Sequence, residues 1–284
     1  MINPIFSASL LRRMRSFRTI LLILLYSLLP LIVALSRGLV LSGDHLPLEQ
    51  LTQTHQFNSF LTQILLQFAL TCLVSPAMTA GCLTGERERQ TMDMLLVTNT
   101  GSIRIVMGKW MEAFAFMALL IFSALPMTAM TLALAGMNTL YALFSTLYLM
   151  LMALALSALG LLCSALCRRT IASTVTAYIL LFTLGVLFPM AIMNNEMPNT
   201  GYSFMYAGER PLYWYNYPNP ILGFVTLMNL LTNEAASGSW NYTCPPETYL
   251  VINITLLMAL SLGLCFLSAA FLRPRSKPQR KKNA

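Results

Sequence analysis

The chain has 284 residues and a formal net charge of +8, yet it is 57% hydrophobic and only 10% charged. Soluble domains carry about 25% charged residues, so this chain is short of the charge needed to cover a water-facing surface, and its mean hydropathy of +0.66 agrees. Soluble enzyme folds are excluded on this ground. Membrane β-barrels are excluded because the apolar runs are long and continuous rather than alternating in short segments. An all-α polytopic membrane protein remains.

At the N-terminus, Asn3-Pro4 is a helix start signal. Phe6, Leu10, Met14 and Phe17 follow at helical spacing, while Arg12, Arg15 and Arg18 point elsewhere. The segment 1–18 therefore reads as an amphipathic helix lying on the membrane surface. Arg13 falls close to the apolar stripe and its stem would have to snorkel. Such a helix could set topology as a basic anchor, or it could also touch a cytoplasmic partner.

Six spans follow, at 19–41, 58–84, 104–135, 139–167, 170–193 and 249–272. Each exceeds the roughly 20 residues needed to cross the hydrocarbon. Ala34-Leu35-Ser36 resembles a signal cleavage site, but the preceding basic region is long and the apolar run continues past it. We expect an uncleaved span. Gly136-Met137-Asn138 is a turn signal between the third and fourth spans, and Arg168-Arg169 separates the fourth from the fifth.

Between the fifth and sixth spans lies a segment, 194–248, in which Asn219-Pro220 opens an apolar helical run from Ile221 to Leu231. The run is too short to span and reads as a re-entrant or interfacial helix. Tyr202, Phe204, Tyr206, Tyr213, Trp214, Tyr215 and Tyr217 lie upstream. They form either an aromatic belt at the interface or a lid at the outer mouth. The basic tail, 273–284, reads as a stop signal that meets anionic membrane lipid.

If the N-terminus is cytoplasmic, every one of the 18 Lys and Arg except Arg37 and Arg210 falls on an inner segment. This asymmetry places both termini inside a multi-pass protein of the plasma or inner membrane. It also accounts for the positive charge without a nucleic-acid partner. The six Cys do not read as a disulfide scaffold, since most lie within or at the ends of apolar runs. Cys163 and Cys167 share a helix face, but His45 and His55 are too distant in sequence to complete a metal site.

In the second span, Ser59, Gln63, Gln67, Thr71, Ser75 and Thr79 recur every four residues. Each step turns the face by only about 40°, so a polar ridge winds slowly along the span. Gln63 and Gln67 are costly in lipid, and the ridge must face protein or water. It is either interhelical hydrogen-bond glue or the lining of a path. Ser173, Thr176 and Thr183 are a weaker counterpart on the fifth span. No Asp, Glu or His lies mid-span, and Glu112 is near an inner end. That counts against the alternatives of an ion-coupled secondary transporter or a polytopic membrane enzyme.

The loop after the second span is more specific. Gly85-Glu86-Arg87-Glu88-Arg89-Gln90 ends the span in alternating charge. Thr91, Met92, Asp93, Met94, Leu95 and Leu96 form a short helix with Met92, Leu95 and Leu96 on one side. Thr98 to Gly101 breaks it, Ser102 can cap the next helix, and Gly108-Lys109 stands early in the third span. The Gly-Lys pair is no phosphate loop, because Ile103 and Trp110 occupy the positions where a Gly and a Ser or Thr are needed. Lys109 and Glu112 are spaced as an i,i+3 ion pair.

The run from Gly85 to Lys109 resembles the signature loop of ABC type-2 permeases. So do the N-terminal Asn-Pro-Ile with its basic helix and the six-span layout with a re-entrant helix before the last span. Two departures are Gln90, where many members carry Gly before the Thr, and Asn99-Thr100, where many carry Pro. The resemblance implies that the loop 85–103 is a coupling element that docks on a separate cytoplasmic ABC ATPase. Glu86, Arg87, Glu88 and Arg89 would be its hinge and ion-pair cluster, and Thr91, Met92, Leu95 and Leu96 the helix that fills a groove. It implies a single transmembrane permease domain over 1–284, paired with a second permease domain, identical or related. The second and fifth spans would line the central path, with Gln63, Gln67, Thr71, Ser75 and Thr79 as candidate lining. The chain itself would hold no cofactor, ATP and Mg being on the partner ATPase. The expected activity is transport, as an exporter, of a substrate that the residues do not name.

Overall fold

A computed structural model describes residues 17–40, 48–90, 102–134, 140–187, 217–233 and 246–272. The described elements are all helical: α1 (Phe17–Val40), α2 (Leu48–Ala80), α3 (Thr84–Glu88), α4 (Ser102–Leu134), α5 (Leu140–Leu166), α6 (Thr170–Phe182), α7 (Pro220–Asn233) and α8 (Pro246–Phe271). A π-helical turn, Thr183–Leu187, continues α6. The expected surface helix 1–18 up to residue 16, the loop Thr91–Gly101, the aromatic stretch from Tyr202 to Tyr215 and the basic tail lie outside the described residues.

Five stretches are long and apolar enough to cross a bilayer: Asn58–Glu88, Ile103–Ala133, Leu140–Leu166, Thr170–Leu187 and Glu247–Phe271. They coincide with the expected second to sixth spans. The expected first span is occupied by α1, which is 24 residues long, but the apolar stretch described within it, Thr19–Leu29, is shorter than a span. The second helix starts at Leu48, well before the apolar run begins at 58. Once a helix has formed, each added residue gains a backbone hydrogen bond, so its end need not coincide with the change from polar to apolar sequence. With 14 residues, α7 is about 21 Å long, too short to span.

The central post is α5. In its most apolar window 78% is buried inside the chain, against 28% for α8 and 17% for α6 with its π turn. The buried face of α5 is dominated by small residues, among them Ala153, Ser157, Ala158, Gly160, Ser164 and Ala165. Lipid tails are as apolar as Leu, so hydrophobicity alone does not drive helices together in a membrane. Close approach across small side chains and interhelical hydrogen bonds do. Three apolar clusters surround the post, one of them small and made of Ala80, Leu159, Cys163 and Ala177. Of the other two, the larger joins Tyr26, Phe60, Ile64, Phe116, Leu120, Leu149 and Phe224. The smaller joins Leu83, Val106, Trp110, Leu161 and Cys265 at the α3 end. There Trp110 donates its indole N–H to the Leu154 carbonyl at 3.2 Å.

α2 and α5 approach closely at Gly160. A Cβ on Gly160 would lie 2.1 Å from Thr79 Oγ1 and 3.1 Å from the Pro76 carbonyl oxygen. The hydroxyl could rotate away, but the backbone of Pro76 could not. Gly160→Ala should therefore force the two helices apart and destabilise the detergent-solubilised protein by about 1–3 kcal/mol. A lower melting temperature is expected, and an unchanged one would show that the crossing is not tightly packed.

Candidate functional site

At one end of the bundle, α2 stops at Ala80 and the chain turns through Gly81–Leu83 into the five-residue α3. The turn is fastened from α5. Ser164 Oγ accepts the backbone N–H groups of Leu83 (2.9 Å) and Thr84 (3.1 Å). Both are first-turn donors of α3 that no intrahelical carbonyl reaches. Burial makes this necessary, since an unpaired backbone N–H away from water costs about as much as a lost hydrogen bond.

The charges of α3 reach three different spans. Glu86 Oε1 lies 2.9 Å from Lys109 Nζ on α4, and Lys109 is 3.8 Å from Glu112. The i,i+3 pair expected from spacing is thus present, but the shorter contact runs to Glu86. Arg87 donates from Nη1 to the carbonyl of Cys167, just past α5, at 2.9 Å. The Glu88 carboxylate accepts the backbone N–H of Thr170 at 2.7 Å and the Thr170 hydroxyl at 3.1 Å. Thr170 is the first residue of α6, whose own N-cap, Arg169, makes no side-chain capping bond. Glu88 supplies the missing cap from another part of the chain, with its negative charge at the positive end of the α6 dipole. Arg89 is exposed. Gln90 adopts φ 57°, the left-handed region where Gly is at home and other residues are disfavoured by roughly 1–2 kcal/mol. The Gly that the resemblance leads one to expect here would take up this conformation without that cost. Thr91, Met92, Leu95 and Leu96 follow, outside the described residues.

The polar ridge of α2 is enclosed by the chain itself. Ser59, Gln63, Gln67, Thr71, Ser75 and Thr79 are each at most 1% exposed. The Tyr26 hydroxyl of α1 donates to the Gln67 carbonyl (3.0 Å) and lies 2.7 Å from Thr71 Oγ1. Ser75 donates to the Ala153 carbonyl of α5 at 3.0 Å. Thr131 of α4 meets Gln63 Oε1 at 3.1 Å, while Gln63 Nε2 and Gln67 Nε2 have no partner among the described residues. The two ends of an amide have the same shape. With Gln63 turned over, Thr131 keeps its bond to the Thr128 carbonyl (2.9 Å) and accepts from the amide instead. On α6, Ser173 is buried without a partner among the described residues, whereas Thr176 and Thr183 are exposed.

A second polar junction forms at the opposite end, where α7 begins. Asn219 Oδ1 accepts the N–H groups of Ile221 (2.9 Å) and Leu222 (3.3 Å), capping α7. Its Nδ2 donates to the carbonyls of Leu184 (3.1 Å) and Gly185 (3.3 Å) in the π turn. Asn253 of α8 donates to the carbonyls of Asn219 (3.1 Å) and Tyr217, and its Oδ1 accepts from Tyr148 of α5 at 3.0 Å. A Cβ on Gly223 would lie 2.2 Å from Tyr148 Oη and 2.3 Å from Asn253 Oδ1, so α7 can seat here only with glycine at that position. Sequence reasoning identified the Asn219 cap but passed over Tyr26, Tyr148, Ser164 and Asn253. A signal existed for Asn253, a lone amide in an otherwise apolar span.

Apolar cavities of about 210 and 410 Å³ lie beside this junction, one against the π turn and one between α5, α7 and α8, and none of the ridge residues lines them. Among the described residues no group of three His, Cys, Asp or Glu converges where a metal could sit. The burial of the ridge generates a prediction. Replacing both Gln63 and Gln67 with Leu should lower thermal stability if the Gln63 side-chain bond to Thr131 ties α2 to α4; the Tyr26 bond to the Gln67 backbone carbonyl survives the change. Unchanged stability with altered transport would instead make them path-lining residues.

The comparison with known families gives the same direction. The family described as ABC-2 family transporter protein matches residues 4–274, a range that includes the charged junction, the ridge and the Asn219 junction. No curated protein matches the sequence. Proteins of this family are the membrane transport component and not themselves catalytic, and membership implies an ATP-binding partner subunit. The chain belongs to the ABC-2 transporter family, as a multi-pass membrane permease of an ABC transporter.

Proposed function

We propose that the chain is the permease of an exporter driven by a separate ATPase, with six spans and both termini in the cytoplasm of a cell bounded by its plasma or inner membrane. In this reading α1 is the first span, α3 lies at the cytoplasmic face and α7 is re-entrant from outside. Support for the last point comes from the stacking of Phe224 of α7 on Phe68 of α2, with ring centroids 4.1 Å apart. Phe68 lies roughly 15 Å along α2 from the start of its apolar stretch at Asn58, at 1.5 Å per residue. Two permease domains, identical or related, enclose the path. The sparsely buried α6 leaves Ile171, Val175, Ile179 and Phe182 exposed, a face open to a second permease domain or to lipid. ATP and Mg are held by the partner ATPase.

The observation that carries the proposal is the three-way grip of Glu86, Arg87 and Glu88 on α4, α5 and α6, immediately before the segment Thr91–Leu96. A rigid-body push on that segment would reach three spans at once. So short a loop cannot bury Met92, Leu95 and Leu96 by itself, and a groove on the ATPase would do so. Burying two such side chains is worth roughly 3–6 kcal/mol. Leu95→Asp with Leu96→Asp should therefore release the ATPase on co-purification while the permease still inserts. Retention of a full complement of ATPase with normal transport would remove the loop as the coupling element. Topology is tested separately. In the six-span arrangement a cysteine replacing Ser237 is labelled from outside by an impermeant thiol reagent and one replacing Pro278 is not. Outside labelling of both would overturn that arrangement.

A further inference from the structure

We propose that Asn219 is a positioning residue that links the movement of α6 to α7, so that the signal entering at Glu88 is delivered to the opposite side of the membrane. The proposal rests on the ATPase-coupling reading above and extends it across the bilayer. It starts from the way α6 is held. Little of it is packed inside the chain, 17% of its apolar window, and at mid-helix Tyr178 donates to the Leu73 carbonyl of α2. Yet both of its ends are held by side chains from distant parts of the chain. Glu88 caps its first residue, Thr170, and Asn219 holds its last turn through the Leu184 and Gly185 carbonyls.

The π turn supplies the means. A π-helical turn hydrogen-bonds i to i+5 instead of i to i+4 and disturbs the regular pairing of backbone carbonyls. In hydrocarbon such groups need a partner within the protein. The Asn219 amide reaches two carbonyls of this turn. The same side chain, through Oδ1, is the cap of α7. One amide therefore joins the C-terminal turn of α6 to the N-terminal turn of α7, one end to each helix. Beside it, Asn253 holds the Asn219 carbonyl, and the single Tyr148 hydroxyl proton is shared between Asn253 Oδ1 and the Pro220 carbonyl, 3.0 and 2.9 Å away. These contacts tie the start of α7 to α8 and to the central post α5. The start of α7 is thus a pivot, and the Asn219 side chain is its hydrogen-bonded tie to α6, beside the packing of Ile221 on Gly185. A tilt about that pivot is greatest at the other end of α7, about 21 Å away.

The two functions of the side chain can be separated. Ser is as good an N-cap as Asn, but its hydroxyl is too short to reach the π turn. Asn219→Ser keeps the α7 cap and removes the link. Asn219→Asp serves as a second variant, keeping the cap and losing the amide donors.

The test uses the complete permease–ATPase complex in lipid nanodiscs. A fluorescent non-canonical amino acid is placed in turn at Leu187, the end of the π turn, and at Val225 on α7, both exposed. Its emission is compared without nucleotide and after trapping with ATP and vanadate. In the native background both reporters should respond. In Asn219→Ser the Leu187 reporter should still respond and the Val225 response should be lost, with ATP hydrolysis retained. A Val225 response that survives in either variant overturns the link while leaving the coupling loop standing. Loss of both responses in the variants also overturns it, since Asn219 would then act on α6 itself. A native complex in which neither reporter responds overturns the link and the coupling reading together. Failure of both variants to assemble would make Asn219 a folding residue and reject the proposal.

Discussion

The organisation of this permease depends on one constraint. Below the headgroup level there is no water, so a polar group that leaves regular helical pairing must find a partner inside the chain. The described residues meet that demand at three places, and those places fix how the spans sit on one another. At the α3 end, Ser164 takes the buried N–H groups of the α2–α3 turn, while Glu88, exposed at the rim, caps α6. Along α2, the ridge gives its hydroxyls and carbonyls to α1, α4 and α5. At the α7 end, Asn219, Asn253 and Tyr148 bind the carbonyls around the π turn and the start of α7.

Apolar packing has a different part in this arrangement. Around α5, small residues permit close contact and the clusters fill the space between helices. Dispersion forces favour many such packings almost equally, because lipid can replace a protein neighbour on any apolar face. Hydrogen bonds are selective where packing is permissive. Glu88 can cap only a helix whose first N–H lies within reach, and Asn219 can join only two helix ends that meet. The polar contacts are few, but they determine which helix ends lie together.

The distribution of burial is relevant to transport. In the proposed coupling, the dense post at α5 is the fixed body and the sparsely covered α6 the one that moves. The charged junction touches both, through Arg87 beside α5 and Glu88 on α6. A displacement at α3 would therefore act on α6 relative to the post. This is the differential response that a transport cycle requires, since a push shared equally by every span would change nothing inside the membrane.

Some of this was legible in the sequence. The membrane class follows from composition, and the five span-length helices from runs of apolar residues. The start of α7 follows from Asn219-Pro220 and the charged end of the second span from Glu86 to Arg89. These signals are local: a cap, a run or a period depends on residues a few positions apart. The ridge was also visible, because its spacing lies within one helix, but what it faces was not. Sequence spacing left it between glue and path, and the fold placed it against Tyr26, Thr131 and Ala153. The partner of Glu88 lies 82 positions away, that of Leu83 81 and that of Tyr148 on α8 105. No periodicity extends across such separations. The sequence by itself determined that helices form, about where all but α2 start and which residues are polar within them. Only the tertiary structure decided which polar group meets which, because that depends on the packing of helices around α5, where many apolar faces would serve but few hydrogen bonds fit.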